Sequence, residues 1–87
     1  MERDKIEQRI EFSNRICRRI EEIANNNRTN IGQLAIKAGM TPATLYGLKC
    51  KDKIPNILTI KLICEAINIT LKDFFDAPYL DDISFLD

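Results

Sequence analysis

The stretch from Asn30 to Lys49, N-I-G-Q-L-A-I-K-A-G-M-T-P-A-T-L-Y-G-L-K, constrains the fold of this chain more than any other. Leu34, Ala35 and Ala38, with Gln33, give its first half a small, partly apolar helical face. Gly39 follows where a helix closing on a left-handed residue favours glycine, because no Cβ opposes a positive φ. Thr41 is placed to cap a second helix, and Pro42 sits at that helix's first position, where a missing N–H costs nothing. Leu45 and Leu48, three apart, supply its inward stripe. Two short helices on either side of so tight a turn form a helix-turn-helix.

The flanking segments also read as helical. Met1–Asn27 has no proline or glycine, and Phe12, Ile16, Ile20 and Ile23 recur at helical spacing. Ile6, Ile10 and Cys17 lie about a quarter turn away at ~100° per residue. The segment reads as one helix; Ser13 could instead cap a shorter one and leave residues 1–12 as an arm. Asn25-Asn26-Asn27 supplies the stop, since asparagine tolerates left-handed turns. Asn30 caps the next helix, and C-K-D-K-I-P-N after Lys49 reads as a loop. Asn56 then caps a helix carrying Ile57, Ile60, Ile63, Cys64 and Ile67 on one side. Thr70 starts a last short helix, with Asp73 at the capping-box position and Leu71, Phe74 and Phe75 as expected core contacts. With 87 residues the chain has room for one domain, and no strand pattern competes. The expected class is all-α: five helices with an N-terminal helical extension and an acidic tail, divided as 1–76 and 77–87.

Charge is informative only by position. The formal total is zero, yet residues 1–64 carry twelve Lys/Arg against seven Asp/Glu, and residues 65–87 one lysine against six acids. Between Arg28 and Lys61, six basic residues face Asp52 alone. A basic middle suits a polyanion, and the acidic end suits a solubilising or partner-binding role. With no histidine, no glycine-rich phosphate loop and no nucleophile–base pair, nothing assembles into a catalytic site. Cys17, Cys50 and Cys64 lack the close pairing of zinc ligands or the even number of a disulfide framework, so neither metal nor cofactor is expected. No apolar run approaches the ~20 residues that cross a bilayer, and the start M-E-R-D-K lacks a signal-peptide pattern. A cytoplasmic protein without a membrane partner is the expectation.

The order Q-L-A-x-K-A-G-M-T-P-A-T-L-Y-x-L-K, followed by P-N-I-x-T-I-x-x-I-C-E-A-I-N-I-T-L-K-D-F-F, resembles the Cro/phage-repressor (XRE-type) helix-turn-helix family over about residues 12–75. That resemblance implies a compact five-helix, lambda-repressor-like domain that binds double-stranded operator DNA, usually as a homodimer, and regulates transcription. It makes Pro42–Lys49 the recognition helix, with Pro42, Ala43 and Gly47 in the base-reading slots and Thr44 and Tyr46 beside them. Pro42 and Ala43 have no side-chain donor or acceptor and could only pack on thymine methyls. Thr44, Tyr46 and Lys49 are therefore the polar candidates, although Tyr46 also reads as an ordinary amphipathic surface residue. Free N–H groups at the helix starts, Thr41 among them, suit phosphates. Lys37, Lys49, Lys51 and Lys53 would neutralise phosphate charge, with Arg28 a further candidate. Two positions depart from the family pattern: Ile31 stands where a glutamine often starts the second helix, and Cys50-Lys51 where Asn-Gly often closes the third.

Three features point elsewhere. Arg18 and Arg19 read as surface partners of Glu21 or Glu22. Leu58 and Leu62 lie away from the isoleucine face of their helix and call for a partner: the Ile6/Ile10 stripe, the Tyr79/Leu80/Ile83/Leu86 pattern, or a second protomer. At least one of the two extensions is expected to dock within the chain, where no association entropy is lost. The tail itself is compatible with a docked helix, a dimer element or a segment that folds on a protein partner. The second functional reading is an antitoxin-like or other protein-interaction module on the same scaffold, with DNA binding secondary.

Overall fold

The computed structural model describes residues 2–44, 47 and 55–84, and among these it is all helical, with no strand. Four α-helices are delimited: α1 (Glu2–Asn26), α2 (Ile31–Lys37), α3 (Ile57–Ala66) and α4 (Leu71–Phe74). Residues 42–44 and 47 are also helical, and Pro78–Leu80 forms a single 3-10 turn. At 1.5 Å per residue α1 rises about 37 Å, close to the molecule's longest dimension of 40 Å. Ser13 is buried inside α1, so the N-terminal segment is one helix and the Ser13 cap is not used.

The caps read from the sequence are in place. Asn30 Oδ1 accepts from the Gln33 N–H at 2.9 Å, Asn56 Oδ1 from Thr59 at 2.8 Å, and Thr70 Oγ1 from Asp73 at 3.0 Å. Each satisfies one of the orphan donors of a first helical turn.

Three helices end by the same device. The N–H of Thr29 donates to Ala24 O and that of Arg28 to Asn25 O; Met40 and Gly39 repeat the pattern on Ala35 and Ile36, and Ile69 and Asn68 on Cys64 and Glu65. This pair of bonds is the Schellman closure, which needs a left-handed residue at its bend. The bends are Arg28 (φ 57°), Gly39 (φ 74°) and Asn68 (φ 58°). The stop expected at Asn25–Asn27 is where α1 ends, at Asn26, while the left-handed position falls beyond it on Arg28. Gly39 is required for its backbone alone, since a Cβ there would meet nothing within 4 Å.

Ile16, Ile20, Ile23 and Ala24 of α1, Leu34 of α2, Ile60, Ile63 and Cys64 of α3, and Phe74 of α4 form the core, joined by Ala77 and Leu80. Phe12, Ile31, Met40, Leu71 and Tyr79 pack around it. α1 packs on α2 and on the 3-10 turn, α2 on α3, and α3 on α4. Two expected core residues stand outside. Phe75 is 39 % exposed while Phe74 is fully buried, because α4 ends between them. Phe75 meets Phe74 edge to face at 5.0 Å. Ile57 is 63 % exposed: it is the first residue of α3, so the inward stripe begins only at Ile60. Cys17 and Cys64 are fully buried and not disulfide-bonded, and burial raises the pKa of Cys64 above its usual value, leaving it protonated and unreactive.

The segment after α4 docks on α1 through arginines. Arg19 donates through Nε to Phe74 O and through Nη2 to Asp73 O, both at 2.6 Å, and pairs with Glu22 through Nη1. The last carbonyls of a short helix thereby gain a guanidinium, the favourable charge for that end. Arg15 reaches Tyr79 O at 2.7 Å and also pairs with Glu11. Arg18 lies over the Tyr79 ring, 4.4 Å from its centre, and the phenol donates to Glu22 Oε1 at 3.2 Å. Burial and then the Glu22 carboxylate push the Tyr79 pKa up, so the phenol keeps its donating proton. Gln8 Nε2 donates to Ser84 O at 3.0 Å. Residues 77–84 therefore lie along α1, which answers for this stretch whether the tail docks within the chain. The Arg19–Glu22 pair anticipated from the sequence exists, but Arg19 is only 14 % exposed and chiefly binds backbone.

Candidate nucleic-acid interface

α2 carries Leu34 and Ala35 inward and ends at Lys37; the Gly39 bend and Thr41 then open the next helical stretch. Thr41 Oγ1 accepts the Thr44 N–H at 3.3 Å, and the two hydroxyls lie 3.0 Å apart. That contact caps the stretch and fixes the orientation of its first turn. Thr41, Pro42 and Ala43 are exposed, Thr44 is half-buried, and Gly47 is helical and half-buried. A Cβ at Gly47 would meet nothing within 4 Å, so packing among the described residues does not require glycine there. Tyr46, Lys49, Lys51 and Lys53 lie outside the described residues.

Of the sequence-selected residues, then, the fold brings Thr41, Pro42, Ala43 and Thr44 together on one turn. Lys37 stands on the other side of the Gly39 bend, at the rim of a cavity of about 240 Å³ lined also by Asn27, Thr29, Leu34, Ala66, Ile67 and Asn68. It is exposed and makes no ion pair among the described residues. Arg28 is likewise exposed and unpaired among them. Chemically, the described part of this region offers hydroxyls, two exposed cations and an apolar Pro-Ala surface. It can accept phosphate oxygens and pack on methyl groups, and it has little with which to read base edges.

Four other cations of the basic half behave differently. Arg15, Arg18 and Arg19 have the internal partners described above, and Lys61 pairs with Glu65 at 3.6 Å along α3. The sequence signal for these roles was thin, because the arginine acceptors are backbone carbonyls more than fifty residues away. Ile36, Ile57 and Leu58 stand exposed on α2 and α3. Among the described residues no group of three His, Cys, Asp or Glu side chains could hold a metal ion, and no helix is long and apolar enough to cross a membrane.

Comparison with protein-family models, curated proteins and solved structures found no match.

Proposed function

We propose that the chain is a DNA-binding transcriptional regulator of repressor type, of the Cro/phage-repressor helix-turn-helix kind, acting as a homodimer on double-stranded DNA. The observation that carries this reading is the α2–Gly39–Thr41 geometry: a Schellman-closed helix, a left-handed glycine, and a hydroxyl-capped helical turn presenting exposed residues. The recognition helix Pro42–Lys49 enters the major groove. Lys37, Lys49, Lys51 and Lys53 neutralise phosphates, while Thr44, Tyr46 and Lys49 supply what polar readout there is. Affinity then rests on the backbone more than on bases, so discrimination is modest and salt dependence steep. Two-fold pairing would set the spacing of half-sites.

The test is a titration of genomic-fragment and random duplexes at two salt concentrations. Preferential binding of one fragment supports the proposal, and no binding to any duplex at low salt rejects it. Replacing Lys51 and Lys53 together should flatten the log–log salt slope by about two units if each touches a phosphate; an unchanged slope removes them from the interface.

A second reading is favoured by one observation. Ile57 and Leu58 are 63 % and 64 % exposed side by side at the start of α3, a pair that suits a protein surface. On that reading the chain is an antitoxin-like interaction module, with DNA binding secondary and the acidic C-terminal end available to a protein partner. Loss of all duplex binding with retention of a protein complex would favour it.

A further inference from the structure

We draw no further inference here: the strongest candidate, the apolar surface that Ile6 (54 % exposed) and Ile10 (43 % exposed) carry along the N-terminal turns of α1, is an unpartnered helix face, and nothing in the structure shows what covers it.

Discussion

Arg15 and Arg19 of α1 and Lys37 of α2 carry the same charge and do opposite things. Arg15 and Arg19 spend their planar forks on backbone carbonyls of residues 73, 74 and 79, and are mostly withdrawn from solvent. Lys37 extends into water with no ion pair among the described residues. A guanidinium presents several donors in a fixed geometry, so ordering it once satisfies two carbonyls together; an ammonium on a flexible stem is a point charge without that gain. The lesson concerns counting. Five excess positive charges in residues 1–64 overstate what a polyanion would meet, because Arg15, Arg18 and Arg19 already hold the C-terminal segment.

The contrast can be broken from the side of the docked segment. Leu80→Ala should cost about 2–5 kcal/mol in urea unfolding, the range for a buried leucine, whereas Ile57→Ala, on an exposed position, should stay within about 0.5 kcal/mol. Equal effects would show that residues 77–84 do not belong to the core. Next in size is Arg19→Met, which keeps the stem and removes the fork. Two charge-assisted bonds to carbonyls would be lost from a largely buried site, for an expected cost of about 2 kcal/mol. Lys37→Met should leave stability unchanged and, under the proposed function, weaken duplex binding at low salt. If Arg19→Met instead weakened binding without destabilising the fold, the division of labour drawn here would be reversed.

Smaller effects sharpen the backbone side of the same contrast. Thr41→Ala removes the hydroxyl cap of the presented turn and should cost about 1 kcal/mol. Arg28→Gly should raise stability by about 1 kcal/mol, since a left-handed L-residue carries a steric penalty that glycine lacks. Asn68→Gly, tested the same way by thermal unfolding, should gain less, because asparagine tolerates that conformation. A destabilised Arg28→Gly would mean that the arginine side chain does more at that turn than its exposure suggests.

Much of the helix framework was legible in the sequence because caps are local. Asn30, Thr41, Asn56 and Thr70 each act within three residues of themselves, and Gly39 signals a positive φ directly. Where geometry decides by one residue, the sequence was less sharp. Three asparagines in a row mark a stop without fixing which residue bends, and the bend fell on Arg28. Phe74 and Phe75 are chemically alike, and only the end of α4 separates the buried ring from the exposed one. The Arg15 and Arg19 clasps were illegible for a different reason: a carbonyl acceptor is present at every residue and leaves no compositional mark. Of the candidate site, the Thr41–Thr44 turn and the exposure of Lys37 are described, whereas Tyr46, Lys49, Lys51 and Lys53 lie outside the described residues.

Cys17 and Cys64 have a consequence of another kind. Each thiol is sealed from solvent on a different helix, with Cys64 further held in its protonated form by burial. Alkylation of either must wait for an opening of the fold, and the rate at which each is captured reports how often its own neighbourhood opens. Digestion and peptide mass would read the two positions separately. Among the described residues the chain thus carries two internal clocks, one in α1 and one in α3, that show without an engineered label whether its halves breathe together or apart.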